Sequence, residues 1–265
     1  MHCGNPFNGH DREAKPDPQR LRRTQWGTVI AAGALFGLLV ASGPAGIRPP
    51  SGPNASLLDS TTIPSQVPKM SASQQARLAE LQEALSRARD PQERRRLAHE
   101  LAHAYQEAGQ PDRAATILTR LAQEQPSVDL WRQIGDLYTD WMLRQSEPGI
   151  REAILERAVG AYREALKLDP DNLDIRVDMA FCYAQSSQEP MRAVEELNAV
   201  LRSDSLHPRA NLLLGLLRMQ IGRFAQAIEA FDKVLARVAS GSPLHEQAQL
   251  LRRQALARQQ TRTEE

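Results

Sequence analysis

Pro208–Leu235, PRANLLLGLLRMQIGRFAQAIEAFDKVL, is the stretch whose reading decides the fold. Apolar residues recur three and four apart on either side of Gly222, which predicts two amphipathic helices joined by a tight turn. Leu214, Gly215, Ala227 and Phe231 alternate large with small, as two closely packed antiparallel helices require.

Working outward, three earlier segments carry the same pattern of sizes. Arg95–Pro126 places Leu101, Ala102 and Tyr105 in a first helix, Gly109 at a turn, Ala114 and Leu118 in a second helix, and Pro126 at the exit. Trp131, Ile134, Gly135 and Tyr138 answer to Ala158, Tyr162 and Ala165, and Met179, Ala180 and Tyr183 answer to Ala193 and Leu197. Small residues at Ala102, Gly135, Ala180 and Gly215 let one helix lie close to its partner, while Leu118, Tyr162, Leu197 and Phe231 fill the gap.

On these residues the segments resemble the tetratricopeptide repeat, a helix-turn-helix unit of about 34 residues. The resemblance implies an all-α fold, a right-handed α-solenoid over residues 71–260, with repeats at about 95–126, 128–170, 173–205 and 208–240. Repeat two carries roughly eleven extra residues, which predicts longer helices, and repeat three has one residue inserted between Ser186 and Pro190. The outer segments Ser73–Arg89 and Pro243 to about Gln259, the latter with Ser242 as N-cap, read as capping helices, and Thr261–Glu265 as a frayed polar end.

The N-terminal third has a different composition. No charge occurs between Arg23 and Arg48, and residues 26–43 are apolar or small, which predicts a single transmembrane helix. Arg20, Arg22 and Arg23 precede it, so residues 1–25 are expected in the cytoplasm and the repeats outside a bacterial inner membrane. The competing reading is a cleaved leader ending near Ala41–Gly43, against which stand the acidic residues Asp11, Glu13 and Asp17 and the crowding Pro44 and Pro49. Residues 44–70, rich in Pro, Ser and Thr, read as an extended tether.

The 33 basic and 32 acidic side chains balance, and the short basic runs lie among glutamates without interleaved aromatics, so no nucleic-acid partner is expected. The two cysteines, Cys3 and Cys182, fall on opposite sides of the apolar stretch and form no disulfide framework. His99, Glu100 and His103 spell HELAH, the spacing by which a metallopeptidase helix binds zinc and activates water. Leu101, Ala102 and Tyr105 already commit that helix to packing, and no third ligand follows, so a zinc peptidase is the remote alternative. No cofactor is expected and no catalytic residues are assigned.

The resemblance also implies where a partner binds, since ligands of this repeat family contact the first helix of each pair. The residues it marks are Arg96, His99, His103 and Gln106 in repeat one, Arg132, Asp136 and Asp140 in repeat two, Val177 and Phe181 in repeat three, and Leu212, Leu216 and Met219 in repeat four. A polar end and an apolar end suit a segment with one apolar anchor, unless the C-terminal helix covers the apolar strip. The expected function is a membrane-tethered adaptor that binds a protein or peptide during envelope assembly. One alternative is an apocytochrome-holding factor, because Asp174–Leu235 is similar to bacterial cytochrome c maturation proteins. Oligomeric state is left open.

Overall fold

The structure, a computed structural model, describes residues 70–264. Among these residues ten helices follow one another: α1 Ala72–Arg87, α2 Pro91–Glu107, α3 Pro111–Glu124, α4 Val128–Leu143, α5 Pro148–Leu168, α6 Leu173–Gln185, α7 Pro190–Ser203, α8 Pro208–Gln220, α9 Phe224–Arg237 and α10 Pro243–Glu264. No helix among them is long and apolar enough to cross a membrane. The expected spanning helix at 26–43, the segment before it and the tether up to residue 69 lie outside the described residues.

Local chemistry sets the helix boundaries. Pro91, Pro111, Pro148, Pro190 and Pro208 each open a helix, where a missing N–H costs nothing and the ring fixes φ. Side chains of Ser71, Asp90, Ser127 and Asn172 accept a hydrogen bond from the backbone three residues on, the usual N-cap contact. The Asp90 cap and Pro91 start repeat one earlier than the expected Arg95.

Two turns inside repeats are built identically. Gly109 at φ 70° and Gly222 at φ 72° adopt the left-handed conformation that glycine takes without strain. The residue after each donates its N–H back to the helix, Gln110 to the Tyr105 carbonyl and Arg223 to the Arg218 carbonyl, both at 2.8 Å.

Each repeat packs its own helix pair, α2 on α3, α4 on α5, α6 on α7 and α8 on α9, and α1 and α10 close the ends against α2 and α9. The small-to-large pairing holds at the pairs the sequence marked. A Cβ built on Gly135 would sit 2.5 Å from the Tyr162 ring, and one on Gly215 2.5 Å from the Phe231 ring. Ala102, Leu118, Ala180 and Leu197 are buried at the corresponding places. Trp131 and Tyr138 join the apolar core of repeat one to that of repeats two and three, so neighbouring pairs share their buried faces.

The extra residues of repeat two lengthen its second helix, α5, to 21 residues, whereas α4, at 16, is no longer than the 17-residue α2. α10 runs to Glu264, past the expected end near Gln259 and through the stretch expected to fray, since no glycine or proline interrupts it after Pro243.

Candidate functional site

The first helices of successive repeats also touch one another: α4 meets α6, α6 meets α8, and α8 meets α10. Side chains from different repeats therefore meet along one wall. Its centre is a chain of charges that local sequence does not reveal.

Asp178 on α6 is 1% exposed and is held from both sides. Arg132 of α4 lies 2.9 Å from its Oδ2, and Arg209 of α8 donates to its Oδ1. Arg209 also donates to Asp174, one turn before Asp178, at 2.9 Å. One buried carboxylate thus ties three repeats together. Guanidinium suits the task because its fixed fork of donors can face two acceptors at once. His207, which caps α8 by accepting the Ala210 N–H at Nδ1, lies 3.8 Å from Asp174. Burial holds the His207 imidazole below its ordinary pKa, as the accepting nitrogen requires.

Asp136 stands beside this brace. It accepts a hydrogen bond from the Tyr162 hydroxyl at 2.8 Å. Burial, and after it the neighbouring Asp178 carboxylate, push its pKa up to about 6, against the pull of Tyr162, Arg132 and Arg209. Behind it, Thr139 donates to the Gly135 carbonyl at 2.9 Å and lies 3.2 Å from both Tyr162 and Cys182. Burial pushes the Cys182 thiol up to about 12, so it is no thiolate nucleophile at neutral pH.

The residues marked from sequence are distributed unevenly over this wall. Arg132 and Asp136 are half-buried at its centre, and Asp140 is half-buried one turn further along α4. Val177, Phe181, Leu212 and Met219 are buried, at 2, 8, 2 and 7% exposure, and Leu216 is half-buried. Little of the apolar strip is open, and α10 packs against α8. On α2, Arg96, His103 and Gln106 are exposed and His99 is half-buried.

The HELAH residues are engaged locally. Glu100 is paired with Arg96 at 2.6 Å and His103 lies 3.5 Å from Glu107, while burial and then Arg95 lower the pKa of His99. Among the described residues no three His, Cys, Asp or Glu side chains are grouped to hold a metal ion.

Asp178 is absent from the residues that the sequence marks. The signal that could have found it is its spacing, four after Asp174 and three before Phe181, which puts all three on one helical face.

Comparison with known proteins agrees with this architecture. Residues 179–243 and 212–262 match the model of the tetratricopeptide repeat, and residues 76–183 match that of the tetratricopeptide repeats-sensor family. A thermophilic TPR protein of Thermus thermophilus superposes with a TM-score of 0.50 at 19% identity, over 67% of this chain and 90% of that one. A tetratricopeptide repeat protein from Parabacteroides merdae gives 0.51 at 17% identity, over 70% of each chain. The C-terminal part of a TPR repeat-containing protein from Cytophaga hutchinsonii gives 0.52 at 15% identity, over 72% of this chain and 68% of that one. Lipopolysaccharide assembly protein B of Haemophilus influenzae is 31% identical over 83 residues, which are 30% of this chain and 21% of that protein. Over residues 76–262 this chain is a tetratricopeptide-repeat protein, built of stacked helix pairs.

Proposed function

We propose that the protein is a non-enzymatic scaffold that holds a segment of another protein along the wall of first helices. In this reading it acts on the extracytoplasmic side of a bacterial inner membrane, tethered there by residues 26–43. The observation that carries the binding role is the succession α4, α6, α8, whose side chains meet across three repeats and offer one partner a continuous surface. Tetratricopeptide repeats bind other proteins, and stacked repeats supply a longer surface than one helix pair can.

Two facts support the location. Arginines precede an uncharged apolar stretch near the N-terminus, the polarity that places the following domain outside the cytoplasm. The similarity to a lipopolysaccharide assembly protein favours work on envelope components, although it spans only about a fifth of that protein's length.

A photocrosslinking residue at Gln133, exposed on α4 beside Arg132, tests the binding role in whole cells, with exposed Asn198 on the second helix α7 as control. A discrete adduct from position 133 and none from 198 is expected. No adduct, or equal adducts from both, overturns the reading. The tether is tested separately: the full chain should leave membranes with detergent and stay through high salt, and release by salt alone rules it out.

A further inference from the structure

Resting on the membrane location just proposed, we infer that the edge carrying the turns inside the repeats docks on an anionic lipid surface. Consecutive helices run antiparallel, so the turns after α2, α4, α6 and α8 gather at one edge and the connections between repeats at the other. The Glu152–Ser186 hydrogen bond, from the start of α5 to the residue that ends α6, ties two of these turns together.

The two edges expose different chemistry. Met191, in the first turn of α7, and Ile221, at the end of α8, are 68 and 65% exposed, more than any other large hydrophobic residue described. Both stand on the turn edge, in neighbouring repeats, and each has an arginine close in sequence, Arg192 and Arg223. The turns, with the first three residues of the helix after each, hold four arginines against three carboxylates. Arg192 is paired with Glu189 at 3.2 Å, whereas Arg144 and Arg223 form no ion pair among the described residues. The same positions on the opposite edge hold two arginines against seven carboxylates, and the exposed Leu168 and Leu206 lie on that acidic side.

The path of the chain points to the same edge. Met70, the first described residue, accepts the Gln110 amide at its sulfur, 3.3 Å away and beside the Gly109 turn. The chain therefore joins the repeats at the edge on which Met191 and Ile221 stand out. An apolar tip flanked by arginine suits a bilayer interface, where the tip enters the acyl boundary and guanidinium meets lipid phosphate. The acidic edge is repelled by that surface.

The full chain carrying Cys3→Ser is reconstituted into vesicles of phosphatidylcholine, alone or with about a third phosphatidylglycerol. A polarity-sensitive fluorophore is placed on Met191→Cys, on Ile221→Cys or, as control, on Leu206→Cys; Cys182 is buried and stays unlabelled. Emission from positions 191 and 221 should shift to the blue when phosphatidylglycerol is present, and the shift should shrink as salt rises, while position 206 stays unchanged. Arg144→Gln with Arg223→Gln should abolish the shift at position 191. No shift at 191 and 221, an equal shift at 206, or an equal shift without phosphatidylglycerol overturns the inference. So does a shift that survives in the double variant. Extraction by salt and detergent decides the tether separately: release by salt together with a shift confined to 191 and 221 removes the tether and keeps the docking edge.

Discussion

Glu152, near the start of the lengthened helix α5, accepts the Ser186 hydroxyl hydrogen bond at 2.5 Å across the turn that joins α6 to α7. Its second oxygen takes the Ser187 N–H and hydroxyl, both at 3.2 Å. The turns of repeats one and four are closed by a left-handed glycine; this one has none and carries an inserted residue. The extra length of repeat two thus supplies the acceptor that the irregular turn of repeat three lacks. Two departures from the repeat pattern compensate each other.

Glu152→Gln keeps the shape but weakens charge-assisted bonds, so it should cost about 1–2 kcal/mol in urea denaturation. Hydrogen exchange at the amides of Ser187, Gln188 and Glu189 should accelerate, because the last two donate to the Ser186 hydroxyl that Glu152 orients. Unchanged protection there would mean that the turn holds itself.

Gly135→Ala and Gly215→Ala should each lower stability by about 1–3 kcal/mol, read by thermal unfolding. Helix propensity by itself predicts the opposite sign, a gain of about 1 kcal/mol. The contact of the new methyl with the Tyr162 or Phe231 ring at 2.5 Å decides the outcome. Gly160, with nothing within 4 Å of its built Cβ, is the control in which Ala should stabilise.

Asp178→Asn removes the shared anion from two enclosed guanidinium groups and should cost about 3 kcal/mol or more. Adding Arg132→Met to that variant should cost less than Arg132→Met does in the parent, since the two residues are 2.9 Å apart and share one interaction. Strict additivity of the two changes in a double-mutant cycle would show that the brace contributes nothing.

The contribution of Asp136 to stability should fall as pH rises from about 4 to about 6. Asp136 titrates near 6 in the folded protein and near 4 when unfolded, so in that window the folded state binds more protons. Its contribution is fully present below the unfolded value and is lost as pH climbs through 6. Asp136→Asn should flatten this slope and raise stability at pH 7; a slope that persists in the variant assigns it to other groups.

Cys182, fully buried and with its thiol pushed up to about 12, should resist alkylation by iodoacetamide at pH 8 until the chain is unfolded. Peptide mapping separates it from Cys3. Rapid native modification would show that the repeat opens locally.

The helix pairs were legible because their information is local. Ala102, Gly135, Ala180 and Gly215 announce close approach by their size alone, and Gly109 and Gly222 announce turns by the backbone angle they permit. Arg132 and Asp136 could be placed on the wall by helical spacing within α4. The Glu152 latch could not be placed, because it joins residues 34 positions apart across two irregular segments.

By itself the sequence determined the order of helices, their small-to-large register and the class of fold, since side-chain size and turn chemistry act within one repeat. Only the tertiary structure decided which charges are spent and which remain. Asp178 and Arg209 lie 31 residues apart in different repeats, and Arg132 lies in a third. Their meeting depends on how whole helix pairs stack, a relation set by burial of shared apolar faces and not by the spacing of the charged residues themselves.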